Sequence, residues 1–133
     1  MTAEAVLADA ARAGLLPVIA DAADRPAGFA LLCPLDGDLH VREIDVHPGH
    51  AGRRLGARLL DEAAAIARAR GLPALSLTTF RSVPWNAPYY ARLGFRAMAA
   101  GEYGPELRTE MARQQAAGLA MADRLAMRRE IPS

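Results

Sequence analysis

A chain of 133 residues, 52% hydrophobic and 23% charged, has the balance of a folded protein and the length of one domain spanning 1–133. Sixteen basic residues against 15 acidic ones leave a formal net charge of +1, which offers no overall field for nucleic acid. Every basic residue is arginine, so a Schiff-base lysine and the phosphate-binding GxxxxGK loop are both excluded.

The N-terminal "MTAEAVLADAARAG" has neither a basic leader nor a cleavable apolar segment, and no apolar run approaches the roughly 20 residues of a membrane span. The reading is of a soluble protein of the cytoplasm. Residues 3–13 carry Val6, Leu7 and Ala10 on one face and stop at Gly14, which predicts a short helix. "LLPVIAD" (15–21) is a strand with Pro17 at its start or on an edge. "AGFALLC" (27–33) is a buried strand, and Cys33, the only cysteine, is a small buried residue within it with no intrachain disulfide to make. "PLDGD" signals a hairpin, because Asp-Gly tolerates the positive φ angles of such turns.

"LHVREIDV" (39–46) is the next strand, reading Leu39, Val41 and, less cleanly, Glu43 against His40, Arg42 and Ile44. After "HPGHAG" the strongest helix runs over about 52–70, with Leu55, Leu59, Ala63 and Ile66 at helical spacing. Gly71 stops it, and "ALSLTTF" (74–80) is a strand. "NAPYYARLG" is a short helix with Asn86 as N-cap, Pro88 in the first turn and Gly94 as stop. "FRAMA" returns as a strand, "GPELRTEMARQQAAG" forms a helix, and "RLAMRREI" (124–131) is the last strand. The order predicts an α+β fold.

A strand, a turn of small residues and a helix together offer backbone N–H groups to phosphate. Gly49, Ala51, Gly52, Gly56 and Ala57 would let an extended anion approach the backbone. Arg53 and Arg54 stand at the front of that helix, where the macrodipole disfavours cations unless an anion arrives. The alternative is a glycine-containing turn capping an ordinary amphipathic helix.

"VHPGHAGRRLGARLL", followed about 30 residues later by "NAPYYARLGF", resembles the GNAT superfamily of N-acetyltransferases. That family's pattern is V-x-P, then Gln/Arg-x-x-Gly-x-Gly/Ala opening a helix, then Asn-(x)n-Tyr-x-x-x-Gly-Phe. Val46-His47-Pro48, Gly56, Asn86, Tyr90, Gly94 and Phe95 fall in register; Ala51 and Arg54 depart from the Gln/Arg and first Gly positions. The resemblance implies a mixed, mostly antiparallel central sheet with splayed strands flanked by helices. Only one helix precedes the first strand here, so the family's usual N-terminal strand and first helix are missing. The acceptor wall is then open, completed by a second subunit as in a homodimer, or supplied in part by the segment before the last strand.

The activity implied is transfer of an acetyl group from acetyl-CoA to the amine of a small molecule or peptide by direct attack. In that picture Ile44, Asp45 and Val46 pair their backbone with the pantetheine. Ala51, Gly52, Arg53, Arg54, Leu55, Gly56 and Ala57 hold the pyrophosphate, with Arg54 in ordinary helical backbone and its side chain outward, and Asn86 adds a cofactor contact. Tyr90 is the general acid that protonates the leaving thiolate, its pKa of about 10 being suited to a thiol. Tyr89, one residue off, is a packing residue. Glu43 is the candidate general base, with Asp45 a second carboxylate on the same side of the strand; the alternative for Glu43 is a surface charge paired with Arg42. His47 and His50 lack a third ligand nearby and are not read as a metal site, and Ser82 lacks the context of a hydrolase nucleophile. Trp85 either lines the acceptor pocket or staples the short helix. A second reading of the whole is an acyl-CoA-binding sensor without turnover.

Overall fold

The computed structural model of the chain describes residues 2–50, 54–118 and 123–132. The elements in order are α1 (Ala3–Arg12), β1 (Val18–Ala20), β2 (Pro26–Leu35), β3 (Asp38–Val46), α2 (Leu55–Ala69), β4 (Ala74–Phe80), α3 (Asn86–Arg92), β5 (Arg96–Ala97), α4 (Pro105–Ala116) and β6 (Arg124–Glu130). All six strands lie in one sheet, in the order β1-β2-β3-β4-β6-β5. Among the described residues only β3 and β4 run parallel, joined by α2 as a crossover; the other pairs are antiparallel. The expected mixed, mostly antiparallel α+β architecture is what forms.

Local chemistry explains most element ends. Thr2 caps α1 by accepting from the N–H of Ala5, and Gly14 leaves the helix at φ 74. The β2–β3 hairpin turns on Asp36 (φ 53) and Gly37 (φ 81), the paired left-handed residues of a tight turn that matches strand twist.

One face of the sheet is covered by α2. Its Leu55, Leu59, Leu60, Ala63 and Ala67 pack on Ala30, Leu32, Leu39, Val41, Leu75, Leu77, Leu125 and Met127. Leu59 is fully buried and contributes about 2 kcal/mol by leaving water. Ala126, between Leu125 and Met127, points the other way and joins Met98 with Leu107 and Met111 of α4. So α4 covers part of the opposite face.

The hairpin turn holds α4 there. The Asp36 carboxylate accepts from the N–H groups of Glu106 (3.0 Å) and Leu107 (2.8 Å), and Glu106 accepts from the N–H of Asp36 at 2.8 Å. This is a reciprocal helix cap made across 70 residues of sequence. Gly104 is required beside it, because a Cβ there would collide with the Asp36 carboxylate.

Candidate active site

The site begins where two strands part. β3 and β4 pair through Leu39–Leu75, His40–Ser76 and Val41–Leu77, and among the described residues the pairing goes no further. Beyond it, β3 stays with β2 through Val46–Gly28, and β4 stays with β6 through Phe80–Arg124. The sheet therefore splays, and the β3 edge facing β4 from Arg42 to Val46 is left without a strand partner. Backbone donors and acceptors so placed require another partner. Ile44, Asp45 and Val46 lie on this edge.

A bulge on β3 coincides with the parting. Leu31 pairs with Glu43 but Leu32 pairs with Val41, so Arg42 is an extra residue. Leu39 and Val41 face the α2 side, and after the bulge Ile44 and Val46 do so instead. Glu43 and Asp45 are thereby exposed on the opposite face. The expected alternation of Glu43 with Leu39 and Val41 is corrected accordingly, while Glu43 and Asp45 do share one side. Arg42 pairs with Glu110 at 3.0 Å, not with Glu43.

Gly28 serves the same strand. A Cβ there would sit 2.8 Å from the Asp45 carbonyl oxygen and 3.3 Å from Leu59 Cδ1. Glycine lets β2 lie against β3 at this point.

Ala51, Gly52 and Arg53 lie outside the described residues. Arg54 is exposed and left-handed, at φ 58 and ψ 26, and makes no side-chain cap. This corrects the expectation of an ordinary helical backbone, and it moves the helix start from about 52 to Leu55, since a left-handed residue ends helical continuation. The first closing bond runs from the N–H of Arg58 to the Arg54 carbonyl at 3.1 Å. The N–H groups of Leu55, Gly56 and Ala57 thus stand at the helix front without intrahelical partners, and no acidic residue occupies that turn.

In α3, Trp85 is the N-cap and makes no side-chain cap. Asn86 lies already inside the helix, its N–H bonded to the Val83 carbonyl at 3.1 Å, which corrects the capping role expected of it. Trp85 is 69% exposed, so it does not staple the helix. Tyr90 is half-buried against the α2-side core and meets Phe95 edge-on, ring centroids 5.9 Å apart. Burial, with a smaller contribution from Tyr89, pushes its phenol above the usual range, while Arg124 pulls the other way. Among the described residues no protein group hydrogen-bonds its hydroxyl. A protonated phenol with its hydroxyl uncommitted is an acid ready to donate. Arg124 stands across from Phe80 at the diverging end of β4, which relates Tyr90 to the splay. Tyr89 packs, as expected, and its hydroxyl lies 3.2 Å from where a Gly56 Cβ would be, against the front of α2.

On the α4 face a polar cluster spans the parting strands, and the sequence pattern gave no sign of it. Glu110, 3% exposed, accepts from Arg113 (2.6 and 3.0 Å) and Gln114 (3.2 Å) as well as pairing with Arg42. Burial raises its carboxyl, but these hydrogen bonds and the Arg42 charge outweigh that and hold it below the ordinary value. Gln114 in turn accepts from Arg124 at 3.1 Å and from Thr78 at 3.2 Å. Arg124 also donates to Thr78 and lies 4.5 Å over the Phe80 ring. Beneath the cluster, buried His40 meets the Ser76 hydroxyl through Nδ1 at 2.8 Å. Its Nε2 is buried with no partner among the described residues, and burial lowers its pKa to about 4.

Other polar groups have structural uses. His47 accepts from the N–H of Gly49 at 3.1 Å. Ser82 ties the loop after β4 to the start of β6 by donating from N–H and hydroxyl to Asp123 (2.8 and 2.6 Å). Among the described residues there is no group of three or more His, Cys, Asp or Glu able to hold a metal, and no helix long and apolar enough to cross a membrane.

Comparison with known proteins agrees with this geometry. An acetyltransferase of the GNAT family from Staphylococcus aureus superposes with a TM-score of 0.68 at 16% identity, over 88% of this chain and 67% of that one. Nourseothricin acetyltransferase gives 0.65 at 23% identity, over 88% and 65%. N-acetylglutamate synthase from Neisseria gonorrhoeae, solved with coenzyme A and N-acetyl-glutamate, gives 0.69 at 17% identity, over 97% and 32%. The chain thus spans about two thirds of the first two and a third of the last; at these identities the likeness shows the fold. The acetyltransferase (GNAT) family model matches residues 2–95, which include the splay, the front of α2 and Tyr90, and the chain belongs to that family.

Proposed function

We propose that the chain is an acetyl-CoA-dependent N-acetyltransferase acting on the amine of a small molecule or peptide. The observation that carries this is the splay: a β3 edge released from β4 beyond Val41, with an uncommitted, protonated phenol related to the same end of β4. The backbone of Ile44, Asp45 and Val46 supplies ladder partners for an extended amide-bearing chain. Leu55, Gly56 and Ala57 offer N–H groups to a diphosphate, with Arg54, and with Ala51, Gly52 and Arg53 before it in sequence, as further contacts; Asn86 adds a polar contact from α3. Acetyl-CoA supplies the activated thioester when bound. Glu43, exposed on the strand beside the slot, accepts the proton the acceptor amine must lose before it attacks, and Tyr90 gives a proton to the sulfur as it departs. The side-chain cluster of Arg42, Glu110, Gln114 and Arg124 walls the slot on the α4 face.

Acetyl-CoA at a hundredfold excess over its Kd is expected to stabilise the protein by about 2.7 kcal/mol, on the order of 10 °C in Tm; no shift at millimolar concentration argues against a cofactor site. Tyr90→Phe is expected to lower kcat about 100-fold while changing the Kd for CoA less than about threefold. The second reading, an acyl-CoA sensor without turnover, draws on the left-handed Arg54 at a position where the family pattern has glycine. Thiol release with amines in the wild type, lost in Tyr90→Phe, decides against it.

A further inference from the structure

On the face away from α2, near the β1 edge, lies a cavity of about 420 Å3 whose lining includes Leu7, Leu16, Val18, Phe29, Asp45 and His47. Its size falls in the range of small-molecule sites, roughly 300–1,000 Å3. Strand register explains its composition. Val18 pairs with Phe29 and Phe29 with Asp45, while Leu31 pairs with Glu43 one step along. An apolar row therefore crosses β1 and β2 and ends on two carboxylates of β3, the strand that parts from β4. Val18 is 55% exposed, apolar surface that a ligand would cover.

We propose that this cavity takes the acceptor, and that the acceptor is a primary amine on an apolar aliphatic or aromatic body carrying no second charge. The inference rests on the acyl-transfer reading above and names its substrate class. Glu43 and Asp45 attract the ammonium to the β3 end of the row, and the apolar body covers Leu16, Val18 and Phe29. A second charge on that body would be desolvated among apolar side chains without a partner, which is strongly unfavourable; polyamines and amino sugars are disfavoured on that ground. In the transfer the amine loses a proton toward Glu43 and solvent, its nitrogen bonds the acetyl carbon, the C–S bond breaks, and the sulfur takes the proton of Tyr90.

The test measures thiol release from acetyl-CoA with 2-phenylethylamine and hexylamine against ethanolamine, spermidine and glucosamine. Calorimetric binding of 2-phenylethylamine to the CoA-saturated protein provides a readout independent of turnover. The expected result is a kcat/KM at least tenfold higher for the two apolar amines. Val18→Glu, at an exposed position, should raise both the KM and the Kd for 2-phenylethylamine about tenfold and leave the KM for acetyl-CoA unchanged, and Phe29→Ala should act in the same direction. Equal or better turnover of spermidine or glucosamine overturns the proposal while leaving acyl transfer standing. It is also overturned if Val18→Glu leaves the amine constants unchanged and instead converts a dimer to a monomer in sedimentation, since the face is then an interface between two copies. If acetyl-CoA neither raises Tm nor releases thiol with any amine, the acyl-transfer reading falls and this inference falls with it.

Discussion

Arg54 stands at φ 58, where a Cβ crowds the following carbonyl and the cost is about 1–2 kcal/mol for any residue but glycine. The sequence places it where the related pattern has Gly, and the backbone there adopts the conformation glycine favours. Arg54→Gly is therefore expected to stabilise the ligand-free protein by about 1 kcal/mol in chemical denaturation, the relief of strain exceeding the added freedom of the unfolded chain. A loss of stability would show that the arginine side chain contributes more than its backbone costs. The place of Tyr90 on α3 beside Phe95 was legible from the run that ends in Gly94 and Phe95, because a short helix carries that spacing into space. The placement of Tyr89 was not, since it depends on how α3 lies against α2. The cap of α3 was misread for a local reason: the N–H of Asn86 closes a turn on Val83, so the helix takes in the residue that composition suggests should precede it.

Among the elements, β4 emerges at the residues read from its apolar run, 74–80, and α4 near the bounds its composition suggests. What α4 touches was not legible, for its anchors join Asp36 to Glu106 and Arg42 to Glu110, pairs about 70 residues apart that no periodicity reports. Glu110 is the residue on which that helix's polar face depends. Glu110→Ala would leave the Arg42 and Arg113 guanidiniums facing each other, with Arg42 Nε already buried and unpartnered. It should cost about 2–3 kcal/mol, the lower part of the range for broken buried pairs because Arg113 is half in water. A shift below about 0.5 kcal/mol in the urea-unfolding free energy would show that the cluster adds nothing net. The front of α2 was only partly legible: the unpaired N–H groups of its first turn follow from helix geometry, but the left-handed start at Arg54 is announced by no pattern of residue types.

At the scale of the molecule, the sheet is sealed on its α2 side by hydrocarbon and on its α4 side partly by ionised groups, which makes stability sensitive to acid through one buried ring. His40 has a folded pKa of about 4 against about 6.5 when unfolded. The unfolded chain therefore binds more protons between those values. The neutral ring's contribution is fully present above pH 6.5, and about 3 kcal/mol is lost as pH falls toward 4. Stability should drop by about that amount more in the wild type than in His40→Asn between pH 7 and 4, as followed by urea unfolding; parallel curves would show that the ring is protonated in the fold after all. The fold class was legible because strand runs, the Asp-Gly turn and the crossover helix each announce themselves locally. The bulge did not, since one extra residue leaves composition unchanged. Arg42 nonetheless sets the reading frame of everything after it in β3. Were the bulge ironed out with Arg42 kept in regular alternation, two carboxylates would be driven into the oil beneath α2 and Ile44 and Val46 turned out to water, so in this strand a single kink of the backbone carries information as binding as the identity of any side chain.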